Sequence, residues 1–182
     1  MTAPEEDGHR RLVLMRHAKA EHESSPDENR RLSPRGRRDA RAAGVLLADH
    51  GDVPALVLVS TAQRTRDTWD AVRDGIVSAS AGSQESEAWF DRSLYDSGPP
   101  AVVELLCAVE STVPSVLVIG HNPTISVVAS ALSDGQAEPA LEEAVSEGMS
   151  TAALAFFDVP VEDWVDLNAH VLRLTHVEVP RG

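Results

Sequence analysis

The sequence predicts an α/β fold, a three-layer sandwich whose largely parallel central sheet is flanked by helices. Three observations predict it. Short apolar runs recur at Leu12-Val13-Leu14-Met15, Leu56-Val57-Leu58-Val59 and Val116-Leu117-Val118-Ile119, and each reads as a buried strand. Segments with helix-start signals alternate with those runs, the pattern of a parallel sheet. The chain has 182 residues, 42% of them apolar, and no internal repeat or linker, which suits one domain with a substantial core.

The elements follow in order. Residues 1–10 read as a disordered tail, and a single domain spans 11–182. The first strand covers about Arg11 to Met15. The charged stretch Lys19 to Arg31 reads as a flexible loop. Ser33-Pro34 opens a helix, with Ser33 as N-cap and proline at the first helical position. Ala40, Ala43, Gly44 and Leu47 give that helix a small-residue face suited to close packing on a sheet, and Gly51 stops it. A strand at Ala55 to Val59 precedes a helix from Arg64 to Ile76. A weaker strand lies at Glu87 to Phe90. Pro99-Pro100 introduce a helix through Val109, and a strand follows at Ser115 to Ile119. Asn122-Pro123 repeats the cap-plus-proline signal for a helix to Leu132. Ser133 to Ser150 lacks periodicity and reads as a mobile excursion. Strands at Ala152 to Phe157 and Val171 to Val177 complete the sheet.

Composition narrows the function. The net charge of −13 disfavours nucleic acid as a partner. No apolar run approaches the roughly 18 residues of a membrane helix, so no membrane partner is expected. Met1 to Arg10 has no apolar core of a secretory signal. The single Cys107 rules out an internal disulfide, reads as an inert buried thiol, and fits a reducing cytoplasm.

Three of the apolar runs end on polar side chains of one chemical kind. The first runs into Arg16-His17, the second into Ser60-Thr61-Ala62-Gln63-Arg64, the third into Gly120-His121-Asn122-Pro123. Ligands of open α/β sheets bind outside the carboxyl ends of the strands. Two histidines and two arginines would therefore meet in one crevice. Arginine forks pair with phosphate oxygens, and a neutral imidazole can attack phosphorus. Nearby guanidinium groups disfavour the imidazolium and keep the attacking nitrogen free. Taken singly, each histidine reads as a hydrogen-bonded strand-end residue; the three-part pattern argues otherwise.

Arg16-His17-Ala18 resembles the Arg-His-Gly signature of the histidine phosphatase (phosphoglycerate mutase-like) superfamily, with alanine for glycine. Ser60 through Thr68 is similar to its Ser-x-x-x-Arg-x-x-x-Thr motif, and Gly120-His121-Asn122-Pro123 to its late histidine motif. The short length, the Arg30-Arg31-Leu32-Ser33-Pro34-Arg35-Gly36 segment and the Gly-His-Asn-Pro form resemble the SixA-type phosphohistidine phosphatase branch. The resemblance runs from about Leu12 to Val177. It implies a phosphoglycerate mutase-like sandwich, His17 as nucleophile, and Arg16 and Arg64 gripping phosphate. It implies His121 as a donor to an equatorial oxygen and Arg30 as a possible third clamp, although a solvated charge serves equally for Arg30. Arg66 reads as an outer helix residue.

Many relatives carry a carboxylic acid near the leaving group. Here Asp96 is the best match by position, ahead of Asp91 and Glu87, although each also reads as a surface acid. A poor acid tilts the substrate toward phosphoramidates or activated esters, whose leaving groups need less protonation. No step calls for a metal or another cofactor, and no histidine–carboxylate cluster shows metal-ligand spacing. His9, His22, His50, His170 and His176 read as surface or strand residues, and Trp69, Trp89 and Trp164 as core or rim. Phe156 and Phe157 should face opposite sides of a strand. The expected partner is a phosphorylated protein carrying phosphohistidine. The alternatives are a small phosphorylated metabolite, or a catalytically silent phosphoprotein-binding module.

Overall fold

The computed structural model describes residues 10–22, 26–80, 82 and 85–182. The elements are β1 (Arg10–Arg16), α1 (Pro34–His50), β2 (Leu56–Ser60), α2 (Gln63–Ala79), β3 (Glu87–Asp91), α3 (Ser93–Asp96), α4 (Pro99–Cys107), β4 (Ser115–Gly120), α5 (Thr124–Leu132), α6 (Pro139–Ser146), β5 (Leu154–Val159) and β6 (Arg173–Glu178). Short 3-10 turns lie at Asp27–Asn29 and Trp164–Asp166. The sheet order is β3-β2-β4-β1-β5-β6. The first four neighbours in that order pair in parallel, while β5 and β6 are antiparallel additions.

The apolar runs are strands because both of their faces are covered. Leu12, Leu14, Val116, Val118 and Phe157 face a cluster completed by Leu106, Ile125, Leu132 and Trp164. Val13, Met15, Leu117, Ile119 and Phe156 face Leu47, Trp69 and Val72. Alternate residues of each strand thus serve opposite layers, and Phe156 and Phe157 do separate. Each such core side chain contributes about 1.5–3 kcal/mol of burial free energy.

Several local expectations are corrected. Arg10 is not tail but the first residue of β1, held by bonds to Val161 O and Ser111 O at 3.0 and 2.6 Å. The remainder of that expected tail lies outside the described residues. Ser33 caps α1 through Gly36 N, and Gly51 ends it at φ 74°. The small-residue face of α1 packs on a helix as well as the sheet: a Cβ on Gly44 would sit 1.9 Å from Val72 O, and one on Gly75 2.2 Å from Arg41 O. The α1–α2 contact is therefore backbone against backbone. Asn122 does not cap α5 in the usual way. Its amide donates to Met149 O at 2.8 Å and accepts from Ser126 Oγ at 3.0 Å, across a cis Asn122–Pro123 peptide.

The 133–150 excursion contains α6, anchored by buried Val145 and Met149. Two buried apolar residues in an otherwise polar stretch leave too faint a period to read. Trp69 and Trp164 are core, whereas Trp89 is exposed. Cys107 is half-buried, and burial pushes its thiol up. Among the described residues, no helix is long and apolar enough to cross a membrane.

Candidate active site

The carboxyl ends of β1, β2 and β4 form one crevice. Arg16 ends β1 in register with Gly120 of β4. His17 N donates to Gly120 O at 2.9 Å, and Arg16 N to Ala153 O at 3.1 Å. Ala152 N serves both Arg16 O and His17 O at 3.2 Å, with its own φ at 65°. A left-handed alanine costs about 1 kcal/mol, which these bonds offset while fixing the histidine backbone. Ala18 N donates to Thr68 Oγ1 at 3.1 Å, and Thr68 donates to Arg64 O at 2.6 Å. That chain ties the first motif to the first turns of α2.

His17 is buried, with Nδ1 2.8 Å from Ala18 O. A carbonyl only accepts, so Nδ1 holds the proton and Nε2 keeps its lone pair. Burial is the largest influence on this ring and pushes its pKa down to about 4. Arg64, Arg16 and Arg30 add to that against the Ala18 carbonyl. His121 lies with its ring 5.2 Å from that of His17. Burial, then His17, Arg64 and Arg16, lower it to about 3, with Asp27 opposing. Its Nε2 is 2.8 Å from Ser60 Oγ. Ser60 Oγ accepts from Ala62 N at 3.5 Å and among the described residues its proton has no other acceptor, so it goes to Nε2 and leaves the His121 proton on Nδ1. That Nδ1 and Arg16 Nε are both buried without a protein partner. Unpaired buried donors in one crevice suit an anion.

Arg16 Nη1 donates to Met149 O at 2.8 Å. Arg64 is buried in the first turn of α2, and it is not free. Nη1 donates to Asp27 O at 2.7 Å and Nη2 to Asp27 Oδ2 at 3.0 Å. Asp27 also accepts from Arg30 at 2.9 Å and from the Tyr95 hydroxyl at 3.0 Å. Desolvation opposes ionisation of Asp27, but Arg30, Tyr95 and Arg64 outweigh it and hold the carboxyl below its usual range. Asp27 is therefore an anion on the arginine fork. Sequence reasoning missed it and Tyr95 alike, since both meet the crevice only through loop and turn contacts. Tyr95, the only tyrosine, also packs its ring 5.6 Å from that of His121.

The other candidates fall outside this cluster or at its rim. Arg30 reaches Asp27 and Glu21 O, and is close enough to depress His17. Asp96 is not brought to the histidines: it is fully exposed, bonded to Ser97 at 3.0 Å and Arg92 at 3.1 Å, and both hold it ionised. Asp91 accepts from Ser93, and Glu87 from Trp89. Arg66 bonds Thr61 O and lies over the Phe90 ring. His22 and His50 are exposed, His170 bonds Ser133 O, and His9 is outside the described residues.

The depressed imidazoles have a pH signature. Both folded pKa values lie below the ordinary value of about 6.5. The unfolded chain therefore binds more protons below that pH, and these rings contribute stability that is complete above about 6.5 and lost as pH falls toward 4 and then 3. In a phosphate-free nitrogen NMR titration, His17 and His121 should keep neutral-ring shifts at pH 5. A midpoint near 6.5 for either ring would contradict the burial argument.

Comparison with known proteins places this geometry. Residues 12–85 match the family model described as histidine phosphatase superfamily (branch 1). An uncharacterised protein of Mycobacterium leprae is 33% identical over 92% of this chain and all of its own length. A structure from Nakamurella multipartitia that carries the phosphohistidine phosphatase SixA designation is 33% identical. It covers 95% of this chain and 97% of its own, at a TM-score of 0.74. A counterpart from Agrobacterium tumefaciens with the same designation is 28% identical over 94% and 99%, at 0.73. With its sandwich, its strand-end motifs and these relatives, the chain belongs to the histidine phosphatase superfamily, in the SixA-type branch, and is a phosphatase.

Proposed function

We propose that this phosphatase is a cytoplasmic, metal-independent enzyme that passes the phosphoryl group through His17, with phosphohistidine on a protein as its substrate class. The observation that carries the reading is the state of His17: neutral, with Nδ1–H held by Ala18 O and the Nε2 lone pair left for attack. Nε2 forms a bond to phosphorus as the bond to the substrate's leaving nitrogen breaks. Water then attacks the phosphohistidine, giving inorganic phosphate and free His17. Arg16, Arg64 and His121 Nδ1–H neutralise the equatorial oxygens, and Arg30 supports them by pairing with Asp27. These groups supply the charge stabilisation that phosphoryl transfer requires, so activity should survive exhaustive chelation.

Among the described residues no protonated carboxyl joins these contacts, which favours a leaving group that needs little help. Asp96 pairs with Arg92, and Asp27 is held as an anion. An alkoxide needs a proton during cleavage, whereas a phosphohistidine ring already protonated on its other nitrogen leaves as neutral imidazole, which is far less basic. The test is side-by-side turnover of a phosphohistidine protein, phosphoramidate, aryl phosphates and alkyl phosphates. The expected result is a steep fall of log(kcat/KM) with leaving-group pKa, unchanged by Asp96→Asn. A flat line with chemistry rate-limiting would reveal an efficient acid and make the enzyme a general phosphomonoesterase.

A further inference from the structure

We propose that His50, Asp52 and His176 form a binding site for one divalent ion of the zinc class, remote from the His17 crevice. His50 is the last residue of α1, Asp52 follows the Gly51 turn ahead of β2, and His176 lies on β6. Their ligand atoms all lie within 4.8 Å of one another. Tetrahedral zinc with bonds of about 2.1 Å spaces its ligands about 3.4 Å apart. The exposed His50 ring at the helix end has only a short distance to close.

The chemistry of His176 points to a cation. Thr175 Oγ1 donates its single hydrogen to Phe156 O at 3.1 Å. The same oxygen is 3.0 Å from His176 Nδ1, so Nδ1 must donate to it. The neutral ring then carries its lone pair on Nε2, a buried atom with no protein partner. A ring stacked on Phe156 at 4.0 Å fixes the direction of that lone pair. Metal-bound histidines are oriented in this way, by a bond from the other ring nitrogen. The His50 ring stands edge-on at 5.5 Å. Asp52 gives one carboxylate oxygen to Arg11 and keeps the other available.

Two imidazoles and a carboxylate suit zinc, cobalt, nickel or copper and are a poor set for magnesium or calcium. A cavity of about 240 Å³ lined by Arg11, Asp52, Phe156 and His176 adjoins the cluster, with room for water to complete the coordination. The ion would staple the end of α1 and the turn into β2 to the antiparallel edge of the sheet. Its role is structural, because Asp52 and Arg11 lie at the ends of their segments away from Ser60 and Arg16.

The test uses untagged full-length protein freed of metal, titrated with zinc by calorimetry and with cobalt by visible absorption. One ion per chain should bind, raise Tm, and give ligand-field bands of a nitrogen–oxygen site. His176→Phe keeps the stack on Phe156 without a nitrogen, and His50→Ala changes an exposed position. Either should abolish that binding while hydrolysis continues. Thr175→Val should weaken it about 10–100-fold. Apo Tm of each variant separates a lost site from a lost fold, and His50→Ala decides if His176→Phe does not fold. No stoichiometric uptake by the wild type, or uptake retained by the folded variants, overturns the proposal.

Discussion

His17→Ala should reduce turnover by about 10⁴-fold or more, the scale on which removal of a covalent nucleophile acts. The side chain contributes the one lone pair that the crevice aims away from its own backbone, since Nδ1 is committed to Ala18 O. Replacing a buried neutral ring with a methyl group leaves a small cavity, but no ion pair or orphaned charge. The variant should therefore fold with the same circular dichroism and a modest loss of Tm. Quenched wild-type enzyme should carry acid-labile phosphate on His17, and added imidazole should restore some activity to the variant. Label on another residue, or near-normal turnover by the variant, would remove His17 from the nucleophilic role.

Arg64→Ala and His121→Ala should each cost about 10²–10³ in kcat, the range for losing one preorganised charge stabiliser. Arg64 is buried and forked, so Arg64→Lys should recover only part of the loss, because an ammonium lacks the rigid planar fork that matches two phosphate oxygens. In the proposed mechanism His121 acts through Nδ1–H, set by Ser60 on the far ring nitrogen. Ser60→Ala should thus mimic a milder His121 variant. The effect belongs mainly in kcat, as these donors meet charge that grows in the transition state. Vanadate inhibition should weaken in parallel. If both alanine variants lose less than tenfold in kcat/KM, the oxyanion sits elsewhere.

What was legible in the sequence divides by the range of the interaction. The inner parallel strands β1, β2 and β4 announce themselves because both faces are buried, and Ser33-Pro34 and Gly51 act within one turn. Arg16, His17, Arg64 and His121 stand out because each lies at the end of such a strand or within the few residues after it. Other features depend on distant partners and leave no local trace. Asp27 is one anonymous acid in a charged loop until Arg64 and Tyr95 surround it. Asp96 matches by position, yet its neighbours Arg92 and Ser97 take it. His50, Asp52 and His176 lack ligand spacing in the chain, since β6 returns from the far end of the sequence. The helix at Pro139–Ser146 is held by Val145, by the half-buried Leu141 and by a bond from Ser133 to Glu142, none of which makes a readable period.

The Asp27 clasp on Arg64 makes the resting enzyme its own competitor. A carboxylate tethered beside a guanidinium never diffuses away, so every incoming anion meets an occupied fork. The Asp27 side chain is half-exposed, and a pair of that kind is favoured by about 1 kcal/mol at most. That lowers the apparent affinity of an anion at the fork by no more than about sixfold. A substrate with contacts beyond the fork should therefore displace the tether more readily than free phosphate does.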